Sequence, residues 1–141
     1  MLDQPPRAPL SAIRRTAAAS HRLEGEFTPL DGERDQNHRL VTPEGSFVVK
    51  VCNPAEGHAI VDCQLKALDH IARVDPELPV PRVRRTVDGA LFPEFMYDGI
   101  AHPLVVLSWL EGRILGAEEL NGAQYVQFGE TIGRLNKALR G

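Results

Sequence analysis

The sequence predicts an α+β domain in which an antiparallel sheet carries one long packed helix. Three observations lead there. Between residues 27 and 51, short runs of β-branched and aromatic residues are separated by turn sequences at Asp31-Gly32 and Pro43-Glu44-Gly45. Turns this tight leave no room for a crossover, so successive strands pair antiparallel. Residues 55–74 place apolar side chains at 61, 65, 68 and 72 and at 60, 67 and 71, a wide stripe at helical spacing that suits packing on a sheet. The chain has 141 residues, about one domain at roughly 150 residues each, so strands and helix share one core.

Taken in order, residues 1–9 hold three prolines and little apolar material and read as a flexible arm. Leu10-Ser11 reads as a hydrophobic staple and N-cap for a short alanine-rich helix from Ala12 to about His21, so 1–22 form an arm and N-terminal helix. Phe27 to Leu30 is the first strand and His38 to Thr42 the second. Ser46 to Val51, the third, is rich in β-branched residues and is closed by Asn53-Pro54. The long helix runs from about Ala55 to Val74 and stops at Asp75-Pro76, because a residue before proline avoids the helical region. Leu78-Pro79-Val80-Pro81 is an extended connector. Val83 to Val87 and Ala90 to Phe92 read as a hairpin around Asp88-Gly89, and Leu104 to Leu110 as a buried strand broken by Glu111-Gly112. A short turn around Ala117–Leu120 precedes a last helix, Gln124 to about Leu139, with Phe128, Ile132, Leu135 and Leu139 on one face.

Composition excludes several classes. Hydrophobic residues at 43% and charged residues at 25% suit a folded chain with a core and not a disordered one. Residues 1–22 carry four Arg against Asp3, while the remainder holds twelve cations against eighteen acids. A nucleic-acid binder shows the opposite balance. The apolar run Leu104 to Leu107 is far short of the roughly 18 residues of a membrane span, so neither nucleic acid nor membrane is an expected partner. The start, Met-Leu-Asp-Gln-Pro-Pro, lacks the basic and apolar regions of a secretory signal, which makes the cytoplasm the expected compartment. Cys52 and Cys63 make no disulfide framework and are expected to be buried thiols. The five histidines lack the pairing of a zinc site, so no metal site is expected.

One residue raises a chemical question. Phe47-Val48-Val49-Lys50-Val51 sets an ammonium between apolar neighbours on a strand. Either the strand turns Lys50 to solvent, as most lysines are placed, or a partner or anionic ligand meets it. A lysine in a Phe-Val-Val-Lys strand followed by a helix has the shape of the kinase strand whose lysine pairs with nucleotide phosphates.

The surrounding residues extend that likeness. Leu30-Asp31-Gly32-Glu33-Arg34-Asp35-Gln36-Asn37 stands before Gly45-Ser46-Phe47-Val48-Val49-Lys50-Val51-Cys52-Asn53, and then come Asp62-Cys63-Gln64-Leu65-Lys66-Ala67-Leu68-Asp69-His70-Ile71. Val80-Pro81 follows, with a Thr86…Asp88-Gly89 turn, Leu107-Ser108-Trp109-Leu110-Glu111-Gly112 and Gly129…Gly133-Arg134-Leu135. In this order, over about residues 23–139, the chain resembles the aminoglycoside phosphotransferase and choline kinase-like small-molecule kinases. Within them it is most similar to the branch of hydroxylysine kinase and of the kinase-like domains fused to class III aminotransferases.

The resemblance implies a protein kinase-like N-terminal lobe at 23–107, about a five-stranded antiparallel sheet with one packed long helix. A hinge follows at 108–112, and 113–141 begins a C-terminal lobe that the chain does not complete. It further implies that Lys50 holds the α- and β-phosphates of ATP or GTP. Glu33, Arg34, Asp35, Gln36 and Asn37 form the loop over the phosphates, with backbone N–H groups and the Asn37 side chain as donors. Ser108, Trp109 and Leu110 meet the base edge with backbone groups, and Val48 packs on the base. By composition alone the loop would be a polar hairpin tip, the 108–110 segment the end of a buried strand, and Trp109 either core or pocket wall.

Departures from the family pattern carry their own implications. The helix Glu that usually pairs with the strand lysine is matched by Gln64, which can hydrogen-bond but not neutralise, with Glu56 and Asp62 as nearby acids. The loop is poor in glycine. No His-x-Asp followed by Asn occurs, so the catalytic Asp and the Asp and Asn that hold magnesium are expected beyond Gly141, in a larger protein of which this is the N-terminal portion. The expectation is therefore a nucleotide-binding lobe of a phosphotransferase acting on a hydroxyl of an amino-alcohol or amino-acid-like compound. It is inactive by itself, with no catalytic residue of its own, and meets its acceptor only with the second lobe. A non-catalytic interaction or regulatory module is the alternative. The stripe Phe128, Ile132, Leu135, Leu139 would face that second lobe, and uncovered it favours self-association through the C-terminal helix.

Overall fold

A computed structural model describes residues 4–115 and 119–140. The elements are α1 (Leu10–His21), β1 (Glu26–Leu30), β2 (Gln36–Thr42), β3 (Gly45–Val51), a 3-10 turn (Pro54–Glu56), α2 (His58–Val74), β4 (Glu94–Tyr97), β5 (Ile100–Ser108) and α3 (Gly122–Arg140). The strands form one five-stranded sheet in the order β1-β2-β3-β5-β4, with every neighbouring pair antiparallel.

Strand β3 lies at the centre and divides the core. Its alternate residues Phe47, Val49 and Val51 face a first cluster with Ile13 and Ala17 of α1, Leu40, Leu104 and Val106. On the other face Cys52 and Val105 pack against Val61 and Leu65 of α2. Val49 and Val51 are fully buried. A one-residue slip would send Lys50 into that α1-side core and both valines out, so the register that places Lys50 on the α2 face is strongly fixed. Helix α3 docks on the end of α2, where Leu135 and Ala138 meet Ile71 and Leu78. An Asp75–Arg134 ion pair, 2.6 Å, joins the same two helices.

Several expectations need correction. The turn Asp88-Gly89 does not close a strand hairpin. The Thr86 hydroxyl accepts from the Ala90 N–H there, and Pro93, with no N–H to give, follows too closely for a ladder. The hairpin stands ten residues later, at Asp98-Gly99, where φ values of 50° and 72° suit a two-residue turn joining β4 to β5. The 82–84 segment instead adds one bridge, Val83 to Leu107, along β5. Helix α1 begins at Leu10 with Pro9 as its N-cap and no side-chain cap bond, so Ser11 is not the cap. The arm is fastened where it is described: Ala8 is buried, and its N–H and C=O both bond to the Gln36 side chain at 2.8 and 3.0 Å. Cys63 is exposed, because it lies off the α2 stripe of Val61 and Leu65. Of the expected C-terminal stripe, Leu135 packs on α2 while Phe128, Ile132 and Leu139 are exposed. The expected turn around Ala117–Leu120 lies largely outside the described residues.

Two buried histidines make the fold acid-sensitive. His21 closes α1, with its Nδ1 2.8 Å from the Ser20 hydroxyl, and His38 on β2 meets the Phe27 ring edge-on. Burial holds both below the ordinary value of 6.5. The folded state therefore binds fewer protons than the unfolded one below that pH, so their contribution is intact above about 6.5 and is lost as the pH falls toward the folded values. Thermal melting followed from pH 7.5 to pH 5 should show a falling midpoint, with a shallower fall in His38→Gln.

Candidate functional site

Lys50 does not point idly at water. Its ammonium lies 2.8 Å from a carboxylate oxygen of Asp35, with the two side chains 29% and 15% exposed. The register explains the meeting, since Asn37 pairs with Lys50 across β2 and β3 and Asp35 sits two residues before Asn37. Burial alone would lower the Lys50 pKa, but the hydrogen bond and charge of Asp35 outweigh it and hold it above 10.5. The same burial pushes the neighbouring Cys52 thiol up to about 12, which leaves it a protonated, inert neighbour.

Asp35 is itself held. Its second carboxylate oxygen accepts the Asn53 N–H at 2.7 Å. Asn53 is fully buried, and its side-chain amide donates to the carbonyls of Arg34 and Gln4 while its oxygen caps the 3-10 turn by accepting from Ala55. One asparagine thus ties the 31–35 loop, the arm and the exit of β3 together. In the sequence Asn53 closes β3 and ends the Gly45–Asn53 stretch of the resemblance, with no sign of this role; an asparagine directly after the apolar Val51-Cys52 is the available signal.

The remaining predicted residues divide. Glu33 and Arg34 are exposed at the loop tip. Gln36 and Asn37 are not loop but the first two residues of β2, and the Gln36 side chain is committed to Ala8. The Asn37 amide lies against Gly32, where a Cβ would stand 2.6 Å from its nitrogen and 2.4 Å from the Asp35 carbonyl oxygen. The loop therefore closes on one glycine through backbone proximity, without a glycine-rich run. Val48 is half-buried on the Lys50 face. Gln64 is exposed and has no bond to Lys50, because it lies one residue off the buried Leu65 position of α2. Among the other acids, Asp62 pairs with Lys66 at 2.6 Å, and Glu56 attracts Lys50 only at a distance.

At the far end of this face the 108–110 segment is partly committed. The Ser108 N–H donates to Arg82 O, its hydroxyl accepts from Arg82 N, and the Trp109 N–H donates to Ser46 O. Among these three amides only that of Leu110 has no protein acceptor among the described residues. Trp109 is half-buried under the guanidinium of Arg39, 4.3 Å from the ring centroid. Concavities of about 500 and 400 Å3 lie elsewhere, between α2 and α3 and beneath the arm, and neither reaches Lys50 or Trp109. Among the described residues no group of three or more His, Cys, Asp or Glu could hold a metal ion, and no helix is long and apolar enough to cross a membrane.

The fold has counterparts among known proteins. The family model described as "Phosphotransferase enzyme family" matches residues 26–140. No curated protein matches the sequence. Among solved structures, an amicoumacin kinase in complex with AMP-PNP, Ca2+ and "Ami" superposes with a TM-score of 0.78 at 15% identity, covering 94% of this chain and 40% of that one. A candidate aminoglycoside phosphotransferase from Ralstonia eutropha JMP134 gives 0.51 at 18% identity, covering 82% and 32%. The fold is that of a kinase-like N-terminal lobe, and the chain spans less than half the length of either relative.

The Asp35 carboxylate carries two hydrogen bonds into partly buried surroundings. Asp35→Ala strands the Asn53 N–H and the Lys50 ammonium and should cost about 1–3 kcal/mol, read as a lower urea midpoint at pH 7. Asp35→Asn, which can keep the Asn53 bond, should cost less.

Proposed function

Because the chain belongs to the phosphotransferase enzyme family, we propose that it is the nucleotide-binding lobe of a kinase that transfers phosphate from ATP or GTP to a hydroxyl of a small amino-alcohol or amino-acid-like acceptor. One observation carries the reading: the Lys50 ammonium is held half-buried on an open sheet face, 2.8 Å from Asp35. A lysine ammonium has three donors, and one serves Asp35, which leaves two for phosphate oxygens. In this reading Asp35 takes the neutralising and positioning role that Gln64 does not fill. The backbone of residues 31–35 covers the phosphates, with the Asn37 amide beside it, Val48 lies against the base and the Leu110 N–H meets its edge.

Phosphoryl transfer runs on positioning and charge neutralisation, and a magnesium ion, when bound, would supply part of that neutralisation. Among the described residues no group of three or more His, Cys, Asp or Glu could hold that ion. The carboxylates that hold it and orient the acceptor hydroxyl are proposed to come from a second lobe, as is the acceptor site, with the cytoplasm as the place of action. This stretch alone then binds nucleotide without turning it over. A second reading, a non-catalytic interaction module, draws on the exposed Phe128, Ile132 and Leu139 of α3, a face that could also join two copies.

Calorimetric titration of magnesium nucleotide separates the two. Lys50→Ala should bind at least about tenfold more weakly than the parent, given the 1.5–3 kcal/mol of a charged hydrogen bond; equal heats would leave only the second reading. Gly32→Ala forces the Asp35 carbonyl and Asn37 amide apart. It should weaken nucleotide binding severalfold and lower the melting midpoint as well, since the backbone that must give way belongs to Asp35, which holds Lys50 and the Asn53 N–H.

A further inference from the structure

We infer that Arg39, a residue outside every expected contact set, is the base-stacking and specificity-determining residue of this lobe, its guanidinium forming with Trp109 the platform on which the purine lies. The inference rests on the nucleotide reading above. Arg39 pairs with Val48 across β2 and β3, and so shares the face of Lys50 two residues along each strand. That offset is about 7 Å at the usual rise per residue, comparable to the reach of a ribose and first phosphate.

What surrounds the guanidinium is not enough to satisfy it. It forms no ion pair among the described residues, and Nη2 makes one long bond to the Ser46 hydroxyl at 3.3 Å. Nε is buried with no acceptor at all. The rest of its stabilisation is the Trp109 ring at 4.3 Å, within the range of a cation–π contact. The segment that carries Trp109 is held in turn, since the Trp109 backbone N–H donates to the Ser46 carbonyl. An arginine on the α2 face of a sheet, with Val48 as its pair and a second cation two residues away, is a poor choice for stability alone. Its side chain is only partly buried, so the planar cation is not sealed from solvent. A guanidinium plane stacks on nucleobases as readily as on an indole, which makes a purine the ligand that matches this surface.

The test uses the chain's single tryptophan as a reporter at the site itself. ATP and inorganic tripolyphosphate are titrated separately into the parent, Arg39→Ala and Arg39→Lys, following Trp109 fluorescence and heat, with melting curves confirming that each variant is folded. Both variants should bind ATP about five- to thirtyfold more weakly, the range for a lost cation–π stack of 1–2 kcal/mol, while tripolyphosphate binding changes less than twofold. The lysine variant matters because it keeps the charge and loses the plane. ATP binding that is unchanged or tighter in Arg39→Ala would overturn the inference and make Arg39 a bystander or a plug. An equal loss of both ligands would also overturn it, by making Arg39 a phosphate contact. A parent that binds both equally well would overturn it too, since the base then adds nothing. A parent that binds neither would instead remove the nucleotide reading on which the inference stands. Should Arg39→Ala not fold, Arg39→Gln, planar but uncharged, takes its place with the same expected loss.

Discussion

The ion pair between Lys50 and Asp35 is the contact on which the rest of the candidate site depends. It joins the middle of the central strand to the end of the first hairpin loop, and through Asp35 it reaches the Asn53 N–H. Neither charge would sit comfortably where it does without the other, since one is on a partly covered sheet face and the other beside a buried asparagine. The geometry is inherited from packing on the opposite side of the sheet. Val49 and Val51 are sealed against α1, so Lys50 has no other face to occupy.

The asymmetry of the two faces turns this into a site. Helix α1 with the arm closes the face of Phe47, Val49 and Val51, whereas α2 covers the other face chiefly around Cys52 and Val105. What α2 leaves uncovered is a strip running from Asn37 and Lys50 past Arg39 and Val48 to Trp109. Two cations along a strip, with one carboxylate beyond Lys50 at the end away from Arg39, make it a local exception in a chain of net charge −3. The proposed nucleotide, anionic at one end and aromatic at the other, has the chemistry to match such a strip.

Much of the fold was legible because it follows from short-range rules. Periodicity located α2 and the alternation of β3, and Asp75-Pro76 marked where α2 ends. Two identical dipeptides show the boundary of that logic. Asp88-Gly89 and Asp98-Gly99 read alike, and only the flanking residues separate them: Pro93 cannot extend a ladder, while Phe95 and Tyr97 alternate with exposed Glu94 and Met96. The site was half legible. Lys50 stood out as a cation among valines, but its partner did not, because Asp35 was read as one of several loop residues. Counting outward from the Thr42–Gly45 rung already brings Asn37 opposite Lys50, so the hairpin register held that information. The Arg39–Trp109 contact was not accessible in this way, since it joins β2 to a segment beyond β5 through the order of the sheet.

The placement of the neutralising carboxylate also changes how the lysine can be controlled. A glutamate on the packed helix would make the lysine depend on the position of that helix. Here the carboxylate belongs to the segment that ends the 31–35 loop, and the same segment is tied by Asn53 to the arm through the Arg34 and Gln4 carbonyls. Movement of the loop therefore moves the charge that orients Lys50, and movement of α2 need not.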